Sequence, residues 1–154
     1  MCTSFKQELL LGAHQFGTVT IVSRTSLTAP TPDVFKAALF LTTGSQGAGT
    51  TTYSTTNELA ATGNYTAGGV TISGSPAWVA PGTSGTTAFT TPSASFAWTT
   101  LTSSGAFDCV TVYNSTQSNR AVSVHTFASQ NITAANFTLT MPTNDATNAL
   151  LRLA

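Results

Sequence analysis

Charge is what this sequence lacks most. Lys, Arg, Asp and Glu together make up 6% of 154 residues, five of each sign, and the formal net charge is zero. An ordinary soluble domain carries about 25% charged residues. With no Lys/Arg cluster to neutralise phosphates, nucleic-acid binding is not expected. A neutral surface steers no distant ligand and resists association poorly. Such a surface suits a protein that is largely covered in an assembly. Cysteine is scarce as well: Cys2 and Cys109 make no disulfide framework. Cys109 alternates with apolar neighbours and reads as a small buried hydrophobe, and Cys2 as a free thiol near the terminus. Long apolar runs are missing. No segment approaches the ~20 residues of a membrane helix, and Met1 to Leu11 lacks the apolar run of a signal peptide. Neither membrane insertion nor export by a general secretory route is expected.

What is present is Thr, Ser, Ala and Gly around a 41% apolar fraction. That is enough to fold one domain and too apolar for disorder. Residues 1–16 differ from the rest. Ser4 and Gln7 fit a capping box, Phe5 and Leu9 share a helical face, and Gly12 can end the turn. Ser4–Leu11 therefore reads as a short helix or an apolar arm. Leu9, Leu10 and Leu11 are too continuous for an exposed helix and need cover, from this domain or from a neighbouring subunit.

From residue 17 to 154 the pattern is β. Thr18–Ser23 reads as a strand, and the prolines of Thr28–Pro32 break it. Val34–Leu41 is a strong apolar run and reads as a central strand. Gly44–Gly49 is a loop. Tyr53–Leu59 is extended or a single turn, and Gly63–Gly69 is a turn in which Gly68 and Gly69 permit positive φ. Short strands are expected at Val70–Ser73, Ala77–Ala80, Thr86–Phe89 and Ser95–Thr100. Phe107–Tyr113 puts Phe107, Cys109, Thr111 and Tyr113 on one face and Asp108, Val110 and Val112 on the other, so it should be covered on both sides. Asn114–Asn119 is a polar turn. Ala121–Phe127 alternates Val122, Val124 and Thr126 against Ser123, His125 and Phe127. Phe137, Leu139 and Met141 share one face of the next strand, and Ala149–Leu153 closes the chain. Many short strands with few helices predict an all-β fold, a β-sandwich of jelly-roll type.

The chemistry-bearing residues do not assemble into a reactive set. No Ser lies in a G-x-S-x-G context, and His125 on its strand faces solvent or a subunit contact. Metal binding needs clustered ligands, and Asp108 and Cys109 point to opposite faces. No metal and no cofactor is expected. Glu58, Asp108 and Asp145 give no sign of converging as a glycosidase pair. Glu58 stands in a nearly uncharged stretch. It reads as a carboxylate that holds a loop, accepting backbone N–H groups or pairing with Arg120. Trp78, Trp98, Tyr53, Tyr65 and Tyr113 are expected as core or interface anchors rather than a sugar-stacking platform. Four Asn-x-Thr matches, at Asn64, Asn114, Asn131 and Asn136, follow from the abundance of Thr.

The stretch Tyr53-Ser-Thr-Thr-Asn-Glu58, continued through Gly63-Asn-Tyr65 to Gly68-Gly69, resembles a motif of tailed-bacteriophage virion proteins. In that family it follows an F-K-x-A-L strand, here Phe35-Lys-Ala-Ala-Leu39. Val112-Tyr-Asn-Ser-Thr116 with Asn119-Arg-Ala-Val122 is similar to the family's hairpin, and Phe137-Thr-Leu-Thr-Met-Pro142 to its closing strand. Ser4-Phe-Lys and Glu8-Leu-Leu also fit, so the resemblance covers nearly the whole chain. This sequence departs by inserting Asn64 before Tyr65 and by carrying His125-Thr-Phe127 where an acidic residue commonly precedes the Phe. The resemblance implies a non-enzymatic role on the virion. It implies a capsid decoration (cement) protein on the outer face of the major capsid protein, where three-fold capsid positions favour a trimer. Phe5, Leu9, Leu10 and Leu11 are the candidate anchor to that partner. Tyr53, Glu58, Tyr65, Gly68 and Gly69 are the candidate structural loop. A tail or neck accessory protein and a carbohydrate-binding attachment module are the rival readings.

Overall fold

The computed structural model describes residues 1–2, 5, 14, 16, 33–60, 63–73 and 77–154. Apart from Phe5, the expected Ser4–Leu11 helix or arm lies outside these residues, as do the Thr18–Ser23 strand and the Thr28–Pro32 breaker. Among the described residues the fold is all-β, a sandwich-like arrangement of antiparallel sheets. Its strands are β1 (Phe35–Leu41), β2 (Val70–Ile72), β3 (Gly82–Ser84), β4 (Thr87–Thr90), β5 (Phe96–Leu101), β6 (Phe107–Asn114), β7 (Arg120–Gln130), β8 (Ala135–Leu139) and β9 (Leu151–Leu153). They form a four-stranded sheet β2-β1-β6-β7, a three-stranded sheet β3-β4-β9 and a pair β5-β8.

The apolar run read as a central strand is β1, flanked by β2 and β6. Its residues alternate between two covered faces, as the period of two in a strand dictates. Phe35, Ala37 and Leu39 enter the main core, with Phe107, Val110, Val112, Trp98 and Leu101. Ala38 and Phe40 enter a second cluster on the other face, with Cys109 and Tyr113, covered by Tyr53. Each fully buried aromatic or aliphatic side chain here contributes about 1.5–3 kcal/mol of transfer free energy. β6 is buried on both faces, as its sequence indicated.

The face assignment within β6 is corrected by a bulge. The register to β7 slips between Phe107 and Cys109, where Phe107 faces Gln130 and Cys109 faces Thr126. The extra residues let Phe107 point into the main core while Cys109 and Tyr113 point into the second cluster. Ala77–Ala80, expected as a strand, provides a single bridge between Trp78 and Pro92. β3, too short and polar to announce itself, forms a hairpin with β4 around Gly85, whose φ is 60°. The Asn114–Asn119 turn joins β6 to β7, with Ser118 and Asn119 at φ 54° and 58°.

The described residues of segment 1–16 join the main core. Cys2 is fully buried and its N–H donates to the Val122 carbonyl at 3.0 Å, on the edge of β7. Phe5 lies 4.8 Å from the His14 ring and 5.9 Å from that of Phe16, and Phe16 stacks on Phe35 at 4.6 Å.

Candidate functional site

The outer edge of β1 is paired by two separate pieces of chain. Toward its N-terminus, Phe35, Lys36 and Ala37 pair with β2. Toward its C-terminus, the Leu41 N–H donates to Asn57 O at 2.9 Å and the Leu59 N–H to Leu39 O at 2.9 Å. Between the two pieces the Leu39 N–H would be left without a strand partner. A buried amide in that position costs about 1–3 kcal/mol. The Tyr65 hydroxyl supplies the missing acceptor, 3.0 Å from the Leu39 nitrogen.

Glu58 organises this splice. Its Oε1 accepts the Tyr65 hydroxyl at 2.7 Å and the Gly68 N–H at 2.7 Å. Its Oε2 accepts the Tyr53 hydroxyl at 2.6 Å. The Tyr113 hydroxyl, rising from β6, donates to the Gly68 carbonyl at 2.7 Å. The Tyr53 and Tyr113 rings stack at 4.2 Å, 8° from parallel. Of the two roles read for Glu58, the structure displays the loop-holding one, through a backbone amide and two phenols. These are charge-assisted bonds, roughly twice as strong as neutral ones.

The two glycines have different reasons to be there. Gly68 has φ 93° and Gly69 φ 76°. A Cβ on Gly69 would stand 1.9 Å from the Ala37 carbonyl oxygen, so only glycine lets this turn lie against β1. A Cβ on Gly68 would make only ordinary contacts, with the Tyr113 hydroxyl at 3.4 Å and Lys36 Nζ at 3.9 Å, and there the backbone angle is the constraint. The structure thus brings Tyr53, Glu58, Tyr65, Gly68 and Gly69 into one cluster. Asn64, the insertion in the resembling motif, accepts the Thr99 N–H at 2.7 Å and ties the turn to β5.

The electrostatics of the cluster suit holding rather than reacting. Burial, and then the hydrogen bond to Glu58, raise Tyr53 and Tyr65 well above the ordinary phenol range. Burial, and then the Glu58 charge, push Tyr113 up to about 12. All three phenols therefore stay protonated donors at neutral pH. Both carboxylate oxygens of Glu58 already accept hydrogen bonds.

The other candidate residues are dispersed. Phe5, expected to anchor a partner, is 2% exposed and packs in the domain's own core. It borders an apolar groove shared with Met1, Phe16, Phe89, Leu151 and Leu153. Leu9, Leu10 and Leu11 lie outside the described residues. Trp78, Trp98, Tyr65 and Tyr113 are buried, and Trp98 stacks on Phe137 at 5.8 Å. Cys2 and Cys109 are buried and not joined in a disulfide, and burial raises Cys109 to about 11. His125, read as facing solvent or a subunit, instead lies on the core face of β7, its Nε2 2.9 Å from Ser123 Oγ. The registers Val112↔Ser123 and Val110↔His125 put both beside main-core valines.

Two features escaped the sequence reading. Tyr113 belongs to the Glu58 cluster, and it is the pairing of β6 with β1, with Tyr113 opposite Lys36, that brings it there. Asn114, at the end of β6, donates to Asp33 Oδ2 at 2.7 Å and to His14 Nδ1 at 3.0 Å. Its Oδ1 accepts the Thr116 and Gln117 N–H groups at 3.1 Å, capping the turn to β7. With Oδ1 so engaged, Nδ2 must face His14, whose Nδ1 is then the acceptor.

Among the described residues no cluster of three or more metal-ligating side chains occurs. No known family, curated protein or solved structure matches the chain.

Proposed function

We propose that this chain is a structural protein of a tailed-phage virion, a decoration protein that binds the outer surface of the head at junctions of major capsid subunits. One observation carries the reading. The stretch that resembles virion proteins, Tyr53 to Gly69, is the stretch whose side chains splice the edge of the central sheet around Glu58. Its polar residues are spent on architecture. That is the use expected of a motif that serves shape rather than chemistry.

The composition supports the same reading. A chain with only 6% charged residues gains from having its surface covered, and a capsid lattice covers it by shape fit and buried area. Closed symmetry is the usual solution for repeated subunits, and a trimer matches the three-fold positions of an icosahedral head.

Purified virions of the encoding phage provide the test. Mass spectrometry should find the chain in a fixed whole-number ratio to the major capsid protein, and cryo-microscopy should place it on the head exterior. A few copies confined to the tail or neck would replace this reading with the accessory-protein one. Absence from the particle, together with specific binding on a glycan array, would replace it with the attachment-module one.

A further inference from the structure

β7 stands at one edge of the four-stranded sheet, paired with β6 on its inner side. The start of its outer side is covered. The Ala121 N–H donates to Thr51 O at 2.9 Å, and Val122 O accepts the Cys2 N–H at 3.0 Å. Along residues 124–130, no backbone group of the described residues bonds to that side. In an antiparallel strand, alternate residues turn both backbone groups the same way. Counted from Ala121 across the slip at Val122, Val124 and Thr126 turn theirs outward. Ala128 O is occupied locally, by Gln130 Nε2 at 2.9 Å.

This edge lacks most of the usual defences. Natural edge strands are blunted by charge, by proline, by shortness or by a bulge. Residues 124–130 include no Lys, Arg, Asp, Glu or Pro. β7 is eleven residues long, the longest strand among the described residues. Its one blunting feature here is the register slip between Thr126 and Gln130, and that lies beyond Thr126. What remains is a neutral row of amides and carbonyls able to extend the sheet.

The chemistry of the edge selects its occupant. Like charges placed directly opposite one another oppose strand pairing, and a strand with none can lie against itself. The chain has no net charge, so two copies do not repel at a distance. Antiparallel pairing about a two-fold axis uses both edges at once and closes the assembly. Pairing with the opposite edge of the sheet would instead leave one β7 open and propagate as a fibre, and that edge is β2, only three residues long.

We propose that two copies of this chain pair antiparallel along β7, about a two-fold axis within residues 124–128, joining two four-stranded sheets into one. So short a pairing must offset the lost freedom of two molecules, which sets the association roughly in the micromolar to millimolar range. Copies held close on a surface would pair far more fully. The contact is distinct from the three-fold assembly proposed above. It belongs to the isolated chain and does not depend on a place in a virion.

Sedimentation velocity of the chain, from about 1 μM to about 1 mM, should show the smallest species passing to one of twice its mass. Hydrogen exchange in peptides covering residues 123–130 should slow about tenfold where nine-tenths of the chain is paired. Thr126 is exposed, so a charge there leaves the fold intact while setting like charges across the axis. Thr126→Lys and Thr126→Glu should each stay at the smaller mass, and an equal mixture of the two should recover the doubling. Misfolded variants would not recover on mixing. A wild-type chain that keeps its smallest mass up to about 1 mM, variants that associate as wild type does, or a mixture that stays apart would overturn the pairing.

Discussion

The phenol of Tyr65 is a relay between Glu58 and the backbone of β1: it donates to the carboxylate at 2.7 Å while accepting the Leu39 N–H at 3.0 Å. A side chain takes the place of a missing strand residue, and a buried carboxylate holds that side chain. Removing either end therefore exposes more than the bond deleted.

Glu58→Ala should destabilise the domain by about 4 kcal/mol, because buried donors lose a charged acceptor and hydrogen bonds to charged groups are worth about 1.5–3 kcal/mol each without adding fully. Glu58→Gln should cost about 2 kcal/mol, since its amide can still serve some of these partners. Tyr65→Phe should cost about 2 kcal/mol by stranding the Leu39 N–H. Denaturant unfolding measures all three, and a Glu58→Ala variant within about 0.5 kcal/mol of wild type would remove the cluster from the account of stability.

Gly69→Ala tests the close approach to β1. Its Cβ would collide with the Ala37 carbonyl at 1.9 Å, in a backbone conformation with φ 76°. A loss of about 3 kcal/mol or more, or failure to fold, is expected. Gly47→Ala is the matched control, with nothing within 4 Å of the added carbon. Its effect should stay within about 0.5 kcal/mol.

Alkaline titration reads the cluster without mutation. All three tyrosines of the chain sit in it. Their folded pKa values are raised, so the folded state retains phenol protons that the unfolded state releases. Stability from this source is complete below the ordinary phenol pKa of about 10 and falls as pH rises above it. Tyrosinate absorbance should therefore appear in one step coincident with loss of the β-sheet circular dichroism signal. A phenol titrating near pH 10 in the folded protein would show that one ring is freer than the geometry implies.

Ala134, in the turn before β8, has φ 48° without being glycine. The left-handed region costs an ordinary residue about 1–2 kcal/mol, part of which glycine recovers. Ala134→Gly should stabilise the domain by about 0.5–1 kcal/mol, raising the denaturant midpoint at unchanged slope. A lowered midpoint would mean that the methyl group packs usefully.

Much of this architecture was legible in the sequence because β1, β6, β7 and β8 carry runs long enough for a period of two to show. β3 is three residues long, too short for any period to show. The bulge at Phe107 was invisible for a different reason. Alternation assigns faces only while the register holds, and a slip redirects every side chain beyond it. Glu58 could be read as a loop-holding carboxylate because it stood alone in an uncharged stretch. Tyr113 could not be joined to it, since only the pairing of β1 with β6 brings them together. His125 was misplaced because a polar residue on an edge strand is ordinarily turned outward, whereas its register opposite Val110 sets it on the core face.

The splice beside β1 also bears on the order in which the chain becomes ordered. β6, the long partner of β1, is synthesised much later, and pairings of such separation form slowly. Until then Phe35–Leu41 would present a bare apolar ribbon, the kind of edge on which nascent chains stick to one another. Asn57–Leu59, Tyr65 and β2 lie close behind it in sequence and close one flank first. Glu58 would then act as a guardian of the nascent chain on the ribosome, before it has a finished sheet to hold.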